Sequence, residues 1–184
     1  MATYSNKFTQ FGNKTKAQID ALSATYTLES GDNVYNTDIN KEEYWTGTNW
    51  INDDCVEVLN NAGATLSIGQ IVSIDNVLPA ASQATVELTL STADDWHIGV
   101  IYRGGINGAK VIVACKGYYK VKFTAATTTT TRQHIAQLTT TAGQASSTVS
   151  KVGGTGSIGV IAESFAVVPI DKLVYCWINS AECF

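Results

Sequence analysis

Residues 98–101 read Ile98-Gly99-Val100-Ile101 and lead, through the turn Gly104–Gly108, into Lys110–Cys115, KVIVAC. Further along, Ile158-Gly159-Val160-Ile161 leads in the same way to Lys172–Cys176, KLVYC. Each copy reads as a strand, a loop and a return strand, because short β-branched apolar runs bounded by Gly and Asn are written for packed strands. A Gly at the second position of both copies predicts a bulge or a close backbone approach there. The echo suggests a duplicated half-barrel and sets the fold class as mainly β.

Working outward, the same strand grammar predicts Val56–Leu59, Ile71–Ile74, Val86–Leu90, Ile98–Tyr102, Lys110–Cys115, Tyr118–Phe123, Ile158–Glu163 and Leu173–Ile178. Val86, Leu88 and Leu90 alternate with Glu87 and Thr89, the period of a half-buried strand. Leu173–Ile178 is apolar on both faces, which predicts a central strand or one covered by another subunit. Turns at Asn60–Gly63, Gly104–Gly108 and Gly153–Gly156 punctuate a β-barrel or β-sandwich domain over residues 55–184. Thr127–Thr131 and Thr139–Thr141 flank Arg132-Gln133-His134-Ile135, a polar stretch that reads as a surface loop.

Residues 1–54 read as a separate N-terminal module. An extended arm over residues 1–13 carries Tyr4, Phe8 and Phe11 and needs something to dock on. Thr15 and Gln18 make a capping box for a short helix over about residues 15–24, with Ile19 and Leu22 on one face. A three-stranded meander follows, with Val34–Tyr35, Tyr44–Trp45 and Trp50–Ile51 separated by the turn clusters Thr37–Asn40 and Thr46–Asn49. Asn36, Asp38 and Asn40 imitate a calcium loop, yet Lys41 stands where Gly is required and Gly47 where a bidentate Glu belongs, so Asx turns explain them.

Composition supports a folded chain: 45% hydrophobic and 15% charged residues argue against a disordered tail. Residues 1–20 are polar and the apolar runs are far shorter than the ~20 residues a spanning helix needs, so the expectation is a soluble protein made in a cytoplasm, with no membrane partner. Cys55, Cys115, Cys176 and Cys183 form no CxxC pair, and Cys115 and Cys176 read as buried thiols. The net charge of −4 is segregated: residues 20–95 hold thirteen acids against Lys41 alone, and residues 96–162 hold seven bases and no acid. Such segments can meet within a subunit or across a subunit contact, where complementarity fixes register, or they can simply solvate different faces.

The search for chemistry ends without a catalytic set, a cofactor or a metal site. His97 and His134 are the imidazoles, and neither sits in a nucleophile elbow. Asp53–Asp54, Asp94–Asp95 and Glu42–Glu43 are adjacent pairs whose members point to opposite faces of a strand. Gly153-Gly154-Thr155-Gly156 lacks the helix and the basic residue that phosphate binding needs. Lys116–Phe123, KGYYKVKF, is the best binding signal: Lys116, Tyr118, Lys120 and Lys122 share one face, and Tyr119, Val121 and Phe123 the other. A basic aromatic face can hold single strands, but the acidic chain argues against nucleic acid as a partner. Tyr44, Trp45 and Trp50 form a second aromatic group, with too little meander to bury all three completely, suited to an interface or the core, or to stacking on a sugar.

Two stretches carry a resemblance. Gly31–Lys41, GDNVYNTDINK, with Trp45–Trp50, WTGTNW, resembles a module of phage fibre and tail-associated proteins, G-x-x-V-Y-[DN]-T-[DT]-x-N-K followed by G-x-x-W. Lys16–Leu22, KAQIDAL, looks like its preceding helix, so that this resemblance covers residues 14–52. Residues 56–184 resemble the small β domain of phage capsid decoration proteins, through Asn61–Val72, the two Ile-Gly-Val strands, Thr141–Ala145 and the closing strand near Val174. His134–Leu138 departs from that pattern, which tends to have Gly-Asp before the strand. The resemblance implies a non-enzymatic tailed-phage virion protein: a capsid auxiliary, decoration or head-fibre component on the capsid surface rather than the tail. Its implied partners are the major capsid protein or other virion proteins and further copies of itself, as a trimer or dimer. The alternative is a receptor- or glycan-binding fibre subunit. Tyr4, Phe8, Phe11, Tyr44, Trp45, Trp50, Tyr118, Lys120 and Lys122 are the candidate interface residues.

Overall fold

The computed structural model describes residues 9–60, 62–74, 88–90, 97–149 and 157–179. The chain divides into two compact units, Met1–Asp53 and Asp54–Phe184. Both are built mainly from strands, as the sequence predicts.

The first unit runs β1 (Gln10–Lys14), α1 (Lys16–Asp20), α2 (Leu22–Thr25), β2 (Asn33–Asn36), β3 (Lys41–Trp45) and β4 (Trp50–Ile51). Its sheet has the order β1-β2-β3-β4. The meander is there, and the described part of the arm adds a fourth strand, parallel to β2. The capping box forms: Gln18 N–H donates to Thr15 Oγ1 and Thr15 N–H to Gln18 Oε1 at 2.9 Å. That fixes the helix so that Ile19 and Leu22 are buried with Val34 and Trp50, while Phe11, Leu28 and Trp45 pack around them. Asn36 Oδ1 accepts from Asp38 N–H at 3.0 Å, the expected Asx turn.

The second unit holds two five-stranded sheets. β5 (Cys55–Leu59), β6 (Ile71–Ile74), β7 (Leu88–Leu90), β8 (His97–Arg103) and β9 (Lys110–Ala114) make the first. β10 (Lys116–Lys122), β11 (Ile135–Leu138), β12 (Ala145–Thr148), β13 (Ser157–Ile161) and β14 (Leu173–Asn179) make the second. Their orders are β5-β9-β8-β6-β7 and β10-β14-β13-β11-β12. Numbered by chain position within each sheet, both read first, fifth, fourth, second, third, and every pairing is antiparallel.

The duplication extends to an irregularity. Val72 pairs Gly99 and Ser73 then pairs His97; Ala136 pairs Gly159 and Gln137 then pairs Ser157. Both second-position glycines sit at this bulge. A Cβ on Gly99 would fall on the carbonyl oxygen of Ala114, and one on Gly159 on that of Trp177. The two halves therefore share topology, bulge and glycine, a coincidence that a repeated unit explains and chance pairing does not.

Each repeat has an inner layer. In the first it is Leu66, Val72, Ile101, Val111, Val113 and Cys115, with Val56 and Val58 packed against it. In the second, Tyr119, Val121, Phe123, Val174, Cys176 and Ile178 are all buried. A parallel bridge between Phe123 and Ala145 draws the edges of the second sheet together at one end, short of a closed barrel. The arrangement is sandwich-like, with β10 lying against β8.

Two expectations need correction. Residues Ile135–Leu138 are a strand, not part of a surface loop, and pair with both β12 and β13. Ala136, Gln137 and Leu138 are buried there; the Thr-rich flanks are polar, but neighbouring strands satisfy the backbone and cover the side chains. Cys115 is disulfide-bonded rather than a buried thiol, while Cys176 and Cys55 are buried thiols outside any disulfide. Burial in an apolar layer distinguishes poorly between the two states of a cysteine. Expected features at Val86, Glu87, Asp94, Asp95 and Gly153–Gly156 lie outside the described residues, as do Tyr4 and Phe8.

Candidate functional site: an aromatic face on the second repeat

The alternation of KGYYKVKF is realised in β10. Tyr119, Val121 and Phe123 point inward and are buried, and Lys116, Tyr118, Lys120 and Lys122 point outward. Beside β10, β14 alternates in step: Val174, Cys176 and Ile178 are buried, and Tyr175, Trp177 and Asn179 face out. The strand is central, lying between β10 and β13, and yet its outer side is open, with Trp177 59% exposed.

Antiparallel register places Tyr118 opposite Trp177 and Lys120 opposite Tyr175. The pairs interlock. Tyr118 and Tyr175 stack with centroids 4.5 Å apart and planes 3° from parallel. Trp177 leans on Tyr118 at 5.1 Å, and Lys120 Nζ stands 5.4 Å from the Tyr175 ring centre. The four side chains thus form a ladder, Lys120, Tyr175, Tyr118, Trp177, whose ring faces are largely taken by one another. It offers the exposed indole, phenol edges and a cation to a partner.

The apolar character continues across the sheet. Trp177 pairs with Val160 and Val160 with Ile135, giving the row Tyr118, Trp177, Val160, Ile135. Val160 is 41% exposed. At the other end Lys122 and Leu173 enter a groove of about 570 Å³, lined also by Ile68, Ile106 and Asp171. Electrostatics are mild. Desolvation, and after it the nearby Glu163 carboxylate, raises the Tyr118 phenol above its ordinary value, so that it remains a neutral donor at neutral pH. Glu163 is held in place by the Tyr175 N–H, which donates to its Oε2 at 3.0 Å.

The other candidates separate. Trp50 is 2% exposed and belongs to the core of the first unit, because Phe11 from β1 and the helix residues supply the cover that the meander alone lacks. Trp45 packs on Trp50 with ring centres 5.5 Å apart, and Phe11 meets the same indole edge-on at 6.1 Å. Tyr44 is exposed on the opposite side of β3 from Trp45, so Tyr44, Trp45 and Trp50 do not make one patch. Tyr118, Lys120 and Lys122 do share one face. The sequence reading missed Tyr175 and Trp177, although their alternation with Val174, Cys176 and Ile178 was available as a signal.

Among the described residues, no group of three or more His, Cys, Asp or Glu could hold a metal ion, and no helix is long and apolar enough to cross a membrane. No protein-family model, curated protein or solved structure matches the chain.

Proposed function

We propose that this chain is a non-enzymatic structural protein of a virus particle, a capsid auxiliary or head-fibre component that binds the shell and further copies of itself. The observation that carries the reading is the open aromatic and basic face of the second repeat. A large exposed aromatic locked on a central strand is costly to leave in water and is the residue type that anchors protein contacts. A rigid sheet presents it with little entropy to lose on docking.

The fibre-like motif of residues 31–50 and the decoration-like pattern of residues 56–184 support the same reading from the sequence. Adhesion needs apolar burial for affinity and segregated charge for register, and the chain supplies both. The direct test mixes the purified chain with expanded capsids lacking auxiliary proteins and follows co-sedimentation. Saturable binding is expected; no binding to capsids or to any other virion part would sink the proposal.

A further inference from the structure

The duplication allows the two copies of one surface to be compared position by position. The outer row of the second repeat is Tyr118, Trp177, Val160 and Ile135. Pairing identifies its counterpart in the first repeat as Cys55, Ala114, Val100 and Ile71. Every member of that counterpart is buried, Val100, Ala114 and Ile71 completely. On this side β10 of the second repeat lies against β8, with Tyr119 packed edge-on to Tyr102 at 5.1 Å and its hydroxyl 3.5 Å from Cys55 Sγ. The contact is head-to-tail: the outer face of one repeat receives the opening edge strand of the next.

We propose that the outer face of the second repeat receives the first repeat of another copy of this chain, led by its opening edge strand β5. The proposal deepens the self-association part of the function proposed above and rests on it. β5 is the counterpart of β10, since Cys55 pairs Ala114 as Tyr118 pairs Trp177. Like β10 it is an edge strand, and Val56, Val58 and Leu59 are only half-buried. Charge selects this partner. The face carries Lys120 and Lys122, from a stretch of seven bases without an acid, whereas the exposed Asp53 stands just before β5, within the stretch of thirteen acids; Lys116 and Glu57 are engaged inside the chain, with Asp54 and Lys110. Repetition of a head-to-tail contact between chains gives a ring if the rotation closes and a filament if it does not.

The test uses the full chain in sedimentation velocity across a concentration series, with Trp177→Asp and Lys120→Glu as variants. Trp177 is exposed, so Trp177→Asp keeps the fold, checked by an unchanged melting temperature. The expected result is a concentration-dependent oligomer for the parent and at least a tenfold weakening in each variant. Asp53→Lys should weaken it similarly, and mixing Lys120→Glu chains with Asp53→Lys chains should restore association. Carbodiimide cross-links between labelled and unlabelled chains should join the lysines of β10 to acids around β5. A parent that stays monomeric at about 100 μM, well above the dissociation constants of specific assemblies, overturns the inference, as does an oligomer indifferent to Trp177→Asp. Co-sedimentation with capsids on the same samples separates the two proposals. A monomeric parent that binds shells, losing that binding in Trp177→Asp, assigns the face to shell protein and overturns only this inference; an oligomer that binds no virion part overturns only the virion reading.

Discussion

The two repeats of the second unit share strand order, bulge and glycine, yet treat the same outer row in opposite ways. The first fills it with Cys55, Ala114, Val100 and Ile71 and buries it; the second fills it with Tyr118, Trp177, Val160 and Ile135 and leaves it open. Small side chains suit a face on which another strand lies close. Large aromatics suit a face that must reach a partner. The lesson is that backbone pairing fixes where a side chain points, and the neighbour that arrives later fixes which size is tolerated.

The sharpest way to break this comparison is to exchange the two central residues of the row. Ala114→Trp forces an indole into a fully buried position, and overpacking there should cost roughly 3 kcal/mol or more, because strands on both sides must move. Trp177→Ala removes an exposed side chain and should cost under about 1 kcal/mol, mostly from the lost contact with Tyr118. Urea unfolding of both variants measures the pair. Similar costs at the two sites would mean that the face of the second repeat is not open in solution.

The next test asks whether the repeats are equivalent rather than merely alike. Gly99→Ala and Gly159→Ala each place a methyl group on a carbonyl oxygen of the paired strand, Ala114 in one and Trp177 in the other. Backbone is the obstacle in both cases, so neither side can yield by a rotamer change. Each variant should lose on the order of 2–3 kcal/mol, and the two losses should agree within about 1 kcal/mol. A large loss at one glycine alone would break the equivalence of the two bulges.

How far the sequence disclosed all this depends on where the information lies along the chain. The two Ile-Gly-Val strands and KGYYKVKF were legible because their signals are local: an alternation, or a Gly in a strand interior, needs no partner to be read. The capping box of Thr15 and Gln18 was legible for the same reason. β11 was not, since the burial of Ala136 and Leu138 is supplied by β12 and β13 and its flanks are rich in Thr. Which of interface and core Trp50 belongs to was not legible, because the residues covering it, Phe11 and Ile19, come from segments read as separate pieces. The candidate face was half visible: Tyr118, Lys120 and Lys122 stand on one strand, but Trp177, Val160 and Ile135 meet them only through a sheet order that the sequence does not spell out.

The smallest expected effect tests the inner layers, which the comparison treats as alike. Cys176 pairs Ile161 as Val113 pairs Ile101, so a free thiol in the second repeat stands where the first has Val. Both are fully buried. Cys176→Val should therefore be accepted, with a change within about 1 kcal/mol at pH 7, since β-branched Val fits the pleated interior that Val113 already occupies. Burial, and secondarily Glu163, raises the Cys176 thiol well above its ordinary range. The sign of the pH effect follows from linkage. The unfolded chain gives up the thiol proton near the ordinary value while the folded chain keeps it, so stability present below about pH 8.5 is lost as pH rises beyond it. Melting temperatures between about pH 7 and 10 should fall more steeply in the parent than in Cys176→Val. Parallel curves would mean that the thiol is better solvated than its valine counterpart, and that the two inner layers are less alike than their strand register.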